Sequence, residues 1–250
     1  MKFLNKTALI TGAAAGIGRA TAIAFAKKGA KVVIVDMDSE KLEKVKKEIE
    51  SLGAQVLSYA CDVSDEQSVN EATQDALNKL GKIDILINNA GVFRYKNDFL
   101  STPVEIWKSY IDINIMGIVY FTKALLPKMI ENAYGKIVNV ASVAGVYGNA
   151  NMVHYSATKG AVISMTKALA KEVADKGINV NCISPGSVSS SQASDDINYV
   201  DYNGFGSKAT YIKRSGSHSE NANLICFLAS DEASYIAGQN IQIDGCRKMQ

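Results

Sequence analysis

Ser142, Tyr155 and Lys159 have the residue types and the spacing of a site for proton transfer to an oxygen. Residues 135–142 form an apolar run typical of a buried strand that ends at Ser142, and an apolar pattern with helical spacing begins at Tyr155. Tyr155 and Lys159 share one face of a helix at this separation. A neighbouring ammonium lowers the pKa of a phenol, because it favours the phenolate. The pattern predicts a general acid and base for an alcohol–ketone pair, with the Ser142 hydroxyl holding the substrate oxygen.

The same residues also fit a purely structural interpretation. A core tyrosine, and a lysine whose apolar stem packs along the helix while its ammonium reaches water, have the same spacing. From this stretch alone both interpretations stay open.

A glycine-rich turn lies between a strand and a helix near the start of the chain. The pattern predicts a strand over residues 7–11, a turn over residues 12–18, a helix, and a second strand that ends at Asp36. A tight turn alone would use glycines, and the spacing is Gly-x-x-x-Gly-x-Gly. However, N–H groups at a helix N-terminus favour a pyrophosphate, so the order of elements indicates a dinucleotide site. The expected contacts are Gly12, Gly16, Ile17 and Gly18.

Asp36 indicates which dinucleotide binds. A carboxylate at the end of the second strand accepts hydrogen bonds from the ribose hydroxyls and repels a 2′-phosphate. Residues 13–15 are alanines and residue 37 is Met37, so no cation is available there to neutralise a phosphate. The sequence therefore predicts NAD rather than NADP as the cofactor.

Strands and helices alternate along the whole chain. The expected strands are 7–11, 31–36, 55–60, 83–87, 135–142, 178–184 and 240–245. Helices are expected over 39–51, after a Ser64 cap, after a Thr102 cap with Pro103 in the first turn, and over 220–230. This alternation predicts an α/β fold, a doubly wound parallel sheet with ligands at the carboxyl ends of its strands. The long polar segment 187–217 is expected to be a lid over the substrate.

Length and composition favour one globular domain over residues 1–250. The apolar fraction is 47%, and the net charge of +2 indicates neither a nucleic-acid nor a membrane partner. The four cysteines are far apart and form no CxxC motif, so we expect no metal site, no disulfide framework and a cytoplasmic location. Glycines interrupt the apolar residues after the basic start, which argues against a signal peptide, and we expect no run long enough to span a membrane.

Two further polar patterns mark possible sites. Asn114 stands among apolar residues of an expected helix, where a buried amide needs a partner or marks a site. Residues 88–91, two asparagines followed by alanine and glycine, end an expected strand and suit a turn, either a plain one or one beside a cofactor.

The chain as a whole resembles the classical short-chain dehydrogenases/reductases. The matching motifs appear in that family's order and approximate spacing: Thr11-Gly12-x-x-x-Gly16-x-Gly18, Asp62-Val63, Asn88-Asn89-Ala90-Gly91, Asn114, Ser142, Tyr155-x-x-x-Lys159 and Pro185-Gly186. The resemblance implies a Rossmann-type sheet of about seven strands and an enzyme that transfers hydride between a nicotinamide cofactor and a secondary alcohol or ketone.

The resemblance also implies a role for each matching residue. Tyr155 would exchange the proton with the substrate oxygen, and Ser142 would hydrogen-bond that oxygen. Lys159 would lower the pKa of Tyr155 and bind the nicotinamide ribose, while Asn114 would hold a water in a proton relay. The other implied cofactor contacts are Asp62 to adenine, Asn88 on the adenosine ribose side, Val188 to the carboxamide, and Val63, Ala90, Gly91, Pro185, Gly186 and Ser190, where Ser190 replaces the family's usual threonine.

Two departures from the family pattern concern the chain's end. His218-Ser219-Glu220-Asn221 replaces the usual Pro-Glu-Glu-Ile, and Asp244-Gly245-Cys246 replaces Asp-Gly-Gly. His218 is expected to be a surface or capping residue rather than a ligand. These departures affect the subunit contacts and the rim of the pocket, not the chemistry.

The expected substrate pocket is mostly apolar. Its residues are Phe93, Ser142, Val143, Ala144, Tyr147, Asn149, Met152, Tyr155 and Val188, with Tyr199, Tyr202 and Phe205 from the lid; Ser142, Tyr147, Asn149 and Tyr155 are expected to contact the substrate. This lining favours a bulky hydrophobic alcohol such as a hydroxysteroid.

Two alternative functions remain. A 3-oxoacyl-carrier-protein reductase resembles the chain closely, but such enzymes tend to use NADP and to present basic residues to their carrier. A non-catalytic dinucleotide-binding sensor is the second, although the presence of Tyr155 and Lys159 argues against it. Residues 103–132 are apolar on more than one face, and in the resembled family this helix pairs between subunits, so we expect a homotetramer.

Overall fold

The computed structural model of the protein describes residues 2–93, 95–189 and 208–248. The expectations for Ser190, Tyr199, Tyr202 and Phe205 concern residues outside these ranges. Most of the segment 187–217, expected to be a lid, also lies outside the described residues and stays a prediction.

The described residues form one parallel sheet of seven strands. The strands are β1 (Thr7–Thr11), β2 (Lys31–Asp36), β3 (Val56–Ala60), β4 (Ile85–Asn88), β5 (Gly135–Val140), β6 (Ile178–Pro185) and β7 (Asn240–Ile243). Their order across the sheet is β3-β2-β1-β4-β5-β6-β7, and all neighbours are parallel. The chain therefore runs outward from β1, returns, and continues outward from β4 in the other direction. The carboxyl ends of β1 and β4 form a switch point, where open α/β sheets bind ligands, and the predicted fold class is confirmed.

Helices cover both faces of the sheet. They are α1 (Gly16–Lys27), α2 (Ser39–Ser51), α3 (Glu66–Leu80), α4 (Val104–Ile111), α5 (Gly117–Glu131), α6 (Val143–Tyr147), α7 (Val153–Val173) and α8 (His218–Leu228). A π-helical segment, Asp112–Met116, joins α4 to α5, and short 3₁₀ turns occupy Ala174–Lys176 and Asp231–Ala233.

The two-sided cover explains why the strands are continuously apolar. Successive side chains of a strand point to opposite faces. In β1, Ala8 and Ile10 belong to the apolar layer that contains Phe25 of α1. Leu9 between them belongs to the opposite layer, with Phe121 of α5. Both layers are anchored by the same central strand, which fixes where its carboxyl end lies.

Three helix starts differ from those expected in the side chain that caps them or in the lack of one. Asp65, not Ser64, accepts the hydrogen bond from the Gln67 N–H at the start of α3. The helix α4 begins after Pro103 without a side-chain cap, since the Thr102 hydroxyl donates to the Asp98 carbonyl instead. The start of α8 lies two residues earlier than expected and is closed by a reciprocal pair of hydrogen bonds between Ser217 and Glu220.

One helical stretch, Val104–Glu131, is long and apolar enough to cross a membrane by length and composition, contrary to the sequence expectation. Ile118, Phe121 and Leu125 from this stretch are buried in the apolar interior. Core helices of globular proteins have the same composition, so we assign the stretch to the core of the fold.

The helices α6 and α7 approach each other with almost no space between their backbones. A Cβ placed on Gly145 of α6 would lie 2.6 Å from the backbone nitrogen of Gly160 in α7. A Cβ placed on Gly160 would lie 3.4 Å from the Gly145 carbonyl oxygen, which is an ordinary contact. The close approach brings Ser142, at the start of α6, next to the first turns of α7.

Gly145→Ala should therefore lower the free energy of unfolding by about 2 kcal/mol or more, as overpacking does in a tight core. Gly160→Ala is the matched control and should change it by less than about 1 kcal/mol, because alanine favours helix and the space is adequate. Urea unfolding monitored by circular dichroism measures both variants. Equal stabilities of the two variants would show that the α6–α7 approach is not a packing constraint.

Candidate active site

Ser142 and Tyr155 lie next to each other at the carboxyl end of the sheet. Ser142 follows β5 and caps α6, where its Oγ accepts a hydrogen bond of 3.1 Å from the Ala144 N–H. Tyr155 lies in the first turn of α7, and the Ser142 side chain is close enough to the Tyr155 hydroxyl to lower its pKa. Both residues line one cleft, so a substrate oxygen bound there can meet both hydroxyls.

The environment of Tyr155 changes its acidity in the direction opposite to the sequence expectation. Burial raises the pKa of Tyr155, the hydrogen bond with Ser142 lowers it, and nearby Tyr110 raises it. Lys159 does not offset this, because its Nζ donates 2.8 Å to the Val140 carbonyl and lies 6.0 Å from the centroid of the Tyr155 ring. Desolvation of the phenol is the dominant effect, so the hydroxyl is held in its protonated form.

Lys159 is itself a buried cation. Its side chain is 4% exposed, and burial lowers its pKa to about 8. A buried ammonium is costly unless it is hydrogen-bonded, and the Val140 carbonyl supplies such a bond. This lysine does not extend its ammonium to the surface, so the structural alternative of a solvent-reaching lysine is wrong.

Asn114 connects the loop after β4 with α7. The residue is fully buried in the π-helical segment, where its Oδ1 accepts a 2.8 Å hydrogen bond from the Val92 N–H. Its Nδ2 donates to the Val92 carbonyl and to the Thr158 hydroxyl, both at 3.1 Å. A Cβ on Gly91 would lie 3.0 Å from the Asn114 Oδ1 and 3.3 Å from the Lys159 Nζ. Gly91 thus leaves open the space between the amide and the ammonium.

The glycine-rich turn after β1 forms a cradle that fits a pyrophosphate. A Cβ on Gly18 would collide with the Gly12 carbonyl and lie 2.6 Å from the Asn89 Nδ2, and Gly12 and Gly16 have positive φ. The residue before α1, Ala15, provides no side-chain cap, and the first turn carries no acid. Free N–H groups at a helix N-terminus suit an anion, so these residues fit a dinucleotide, with Ile17 inside the first turn.

Two residues that the sequence analysis did not single out as site residues hold this cradle in place. The Asn89 Nδ2 donates to the carbonyls of Thr11 and Gly12, at 2.9 and 3.1 Å. The Thr11 hydroxyl in turn accepts from the N–H groups of Asn89 and Ala90, both at 3.0 Å. Both residues were part of the quoted motifs, and these motifs were the signal that could have identified them.

The Asn88 side chain is buried between β4 and its neighbours and does not face the glycine cradle. Its side chain is 2% exposed, and its Nδ2 donates 2.9 Å to the Asn139 Oδ1 in the neighbouring strand. A side-chain contact of Asn88 with the adenosine ribose does not agree with this geometry. The reason is the pleat of the strand: adjacent residues point to opposite sides, and Asn89 has the outward direction.

Asp36 lies at the carboxyl end of β2, against the glycine-rich turn. Its Oδ2 accepts from the Ala14 N–H and its Oδ1 from the Asp38 N–H, both at 3.0 Å. The backbone of the turn therefore fixes the carboxylate beside the cradle. Met37 next to it is 76% exposed and carries no charge.

The remaining expected cofactor residues lie at the carboxyl ends of β3 and β6. Asp62 is exposed after β3 and accepts hydrogen bonds from the backbone and hydroxyl of Ser64, while Val63 is buried. Gly186 follows Pro185 at the end of β6, and its N–H donates 3.0 Å to the Ile243 carbonyl. Val188 forms a short bridge with Gly216.

A cleft of about 440 Å³ opens above Ser142 and Tyr155. Its described lining is Phe93, Lys96, Ser142, Val143, Asn149, Met152, Tyr155, Gly186, Ser187, Ala209, Thr210, Asp244 and Arg247. Tyr147, Ala144 and Val188, expected in the pocket, are not among these residues, and the Tyr147 hydroxyl donates to the Gln242 Oε1. The charged Lys96 and Arg247 were missed, because no motif or periodicity places them near the site, whereas Asp244 belongs to the motif Asp244-Gly245-Cys246 that was assigned to the rim of the pocket.

Comparisons with known proteins agree with this geometry. A family model described as Enoyl-(Acyl carrier protein) reductase matches residues 12–246. A Thermotoga maritima protein named 3-oxoacyl-[acyl-carrier-protein] reductase FabG is 40% identical over 98% of each chain. A cyclohexanol dehydrogenase of Acinetobacter sp. is 35% identical over 98% of this chain and 95% of its own.

A solved structure extends the likeness to three dimensions. The crystal structure of an NAD⁺-bound xylitol dehydrogenase matches with a TM-score of 0.91 and 34% identity, over 98% of this chain and all of the other. The family model spans nearly the whole chain, and the relatives match over their full length. The protein belongs to the short-chain dehydrogenase/reductase family of oxidoreductases.

Proposed function

We propose that the protein is an NAD(H)-dependent enzyme that interconverts a secondary alcohol and a ketone, with a 3-oxoacyl compound as the first candidate substrate. The observation that carries this proposal is that Ser142 and Tyr155 line the same open cleft of about 440 Å³. The buried Lys159 and the glycine cradle lie at the same edge of the sheet.

The chain's own residues account for the proton and for the position of the substrate oxygen. In the direction of reduction, the Tyr155 hydroxyl gives its proton to the carbonyl oxygen as that oxygen becomes an alcohol, and Ser142 holds the same oxygen by a hydrogen bond. The nicotinamide ring supplies or accepts the hydride when the cofactor is bound. Lys159, whose Nζ lies 6.0 Å from the centroid of the Tyr155 ring, is the cation that would stabilise the phenolate left after the transfer, although it does not lower the pKa of the resting phenol. The raised pKa of Tyr155 keeps the proton available at neutral pH.

Two observations support a 3-oxoacyl substrate over a hydroxysteroid. Relatives at 35 to 40% identity are named 3-oxoacyl-[acyl-carrier-protein] reductases. The cleft is also more polar than the sequence analysis expected, since Lys96, Asp244 and Arg247 line it. A steroid nucleus would leave these charged groups without partners.

An alicyclic alcohol is the second candidate. Phe93, Val143 and Met152 provide an apolar wall in the cleft, and one relative is named cyclohexanol dehydrogenase. A hydroxysteroid belongs to this class and stays a proposal of second rank.

Tyr155→Phe should abolish turnover of acetoacetyl-coenzyme A or cyclohexanol, because it removes the proton donor, while binding of NADH stays within about threefold. Tyr59→Phe is the matched control, since that hydroxyl donates to Asp75 away from the cleft. Steady-state kinetics and fluorescence titration of NADH provide the two readouts. A Tyr155→Phe enzyme that keeps more than a few per cent of turnover would remove Tyr155 from the mechanism.

The choice of NAD rests on Asp36 and is supported by a related structure that contains NAD⁺. A 2′-phosphate beside this carboxylate would meet a repulsion of roughly 4 kcal/mol per pair of unit charges about 4 Å apart at an effective dielectric of about 20. A fraction of this energy suffices for a strong preference, because about 1.4 kcal/mol corresponds to a tenfold change in affinity.

NAD should therefore exceed NADP by at least about a hundredfold in kcat/KM. Asp36→Ala combined with Met37→Arg should narrow or invert this ratio, because it removes the repulsion and supplies a phosphate partner. Asp38→Asn, which removes a charge two positions away, should leave the ratio unchanged. Equal efficiency of the unmodified protein with both cofactors would contradict the role of Asp36.

We also propose a cytoplasmic homotetramer. Three of the four cysteines are buried and all four thiols are free, as in a reducing compartment.

Exposed apolar side chains, Val104 and Ile111 of α4 and Val153 of α7, lie on elements that pack together and suit a subunit contact. Light scattering at micromolar concentration should give four times the monomer mass, and a monomer would refute the assembly.

A further inference from the structure

Arg247 lies in the substrate cleft without a carboxylate partner among the described residues. It is half-buried, lines the cleft together with Ser142 and Tyr155, and donates 3.1 Å from its Nη2 to the Asn149 Oδ1. The other two arginines of the described part pair with carboxylates, Arg19 with Glu48 and Arg214 with Glu220. Within residues 2–93, 95–189 and 208–248, no ion pair engages Arg247.

The backbone fixes Arg247 in one wall of the cleft. Its segment pairs with the chain around Thr210: the Tyr211 N–H donates to the Cys246 carbonyl, and the Lys248 N–H donates to the Ala209 carbonyl, both at 2.9 Å. Two hydrogen bonds, one on each side of Arg247, leave little freedom for its Cα to move out of the wall.

Asn149 lies in a distant part of the chain, just before α7, and its backbone is also held by hydrogen bonds. Its N–H donates 3.1 Å to the Ser156 hydroxyl, and its carbonyl accepts 3.2 Å from the Met152 N–H. Because Ser156 is adjacent to Tyr155, Asn149 keeps a set position relative to the proton donor. The hydrogen bond between Asn149 and Arg247 therefore also fixes the position of the guanidinium relative to Tyr155.

The pair presents hydrogen-bond donors to the cleft. Since the Asn149 amide oxygen faces Arg247, its Nδ2 is left as a donor, and it has no acceptor among the described residues. A guanidinium has five N–H donors, of which this contact uses one. Lys96 adds a second cation to the lining, whereas Asp244 adds a carboxylate whose Oδ1 accepts from the Cys246 N–H. The charge of the described lining is therefore positive.

We propose that Arg247, together with the Asn149 amide, binds an anionic oxygen group of the substrate. A guanidinium matches a carboxylate or a phosphate with two parallel hydrogen bonds, and the amide supplies a third donor. This inference rests on the proposed function and narrows its substrate to oxo acids, hydroxy acids or phosphate-bearing acyl thioesters. Arg247 then acts as a specificity-determining residue, separate from the proton transfer at Tyr155.

The test compares three 3-oxoacyl compounds: acetoacetate with a carboxylate, acetoacetyl-coenzyme A with phosphates, and methyl acetoacetate, which is neutral. At least one anionic compound should exceed the ester at least tenfold in kcat/KM, and the one that does identifies the anion. Arg247→Ala should lower kcat/KM for that compound by about thirtyfold or more through KM, as loss of one partner of a charge pair does. Its effect on the ester should stay below about threefold.

Two further variants separate anion binding from a structural role. Lys248→Ala removes the next cation, whose ammonium lies over the Tyr211 ring and not in the cleft lining, and it should leave all three compounds unaffected. Arg247→Lys should restore part of the preference for the anion. If Arg247→Ala lowers activity with all three compounds equally, or if the ester is used as well as both anions, the inference is overturned. Neither result contradicts the proposed function, which is tested separately by the loss of turnover in Tyr155→Phe.

Discussion

The cross-connection between Thr11 and Asn89 is the constraint on which the site depends. β1 and β4 are neighbours in the sheet, but the chain leaves them in opposite directions, so their carboxyl ends separate at the switch point. The Asn89 amide bonds the Thr11 and Gly12 carbonyls, and the Thr11 hydroxyl returns bonds to the backbone after β4. These four bonds fix the glycine cradle, at the N-terminus of α1, relative to the carboxyl ends of β1 and β4.

The second half of the site depends on burial rather than on charge pairing. Ser142 and Tyr155 meet because Gly145 lets α6 contact α7 closely. The desolvated phenol keeps its proton, and the desolvated Lys159 ammonium is retained by the Val140 carbonyl. Both shifts have the same origin, because a low-dielectric surrounding disfavours the phenolate and the ammonium alike. At neutral pH the phenol is therefore uncharged, and the Lys159 ammonium gives up its proton more readily than that of an exposed lysine.

Much of this architecture could be predicted from the sequence, because each pattern had one physical meaning. Continuous apolar strands, a glycine turn before a helix, and Tyr155 four residues before Lys159 led to the correct fold and family. Where two neighbouring residues were equally suited to the same structural role, the sequence did not show which of them takes it. Ser64 and Asp65 are both good caps, and only the path of the backbone selects Asp65.

The same ambiguity explains why the sequence could not show which of the two asparagines at the end of β4 has a buried side chain. Asn88 and Asn89 have identical side chains, and a shift of one residue in strand register would exchange the buried amide with the exposed one. Arg247 shows a different limit, since its position depends on pairing between the chain around Thr210 and the chain's last described residues. Contacts of this kind are long-range in space but leave no local pattern in the sequence, so the polar character of the cleft could not be foreseen.

The cleft is lined both by elements that pack the core and by segments that lie outside the core. Its floor, Ser142 and Tyr155, belongs to elements that also pack the core, so the fold holds both residues in place. Its walls come from the loop at Phe93 and Lys96 and from the segment near Arg247, which bear little of the core. The proposed function thus assigns proton transfer and substrate choice to physically separate segments. Such a division agrees with relatives of one fold whose names refer to acyl carriers, cyclohexanol and xylitol.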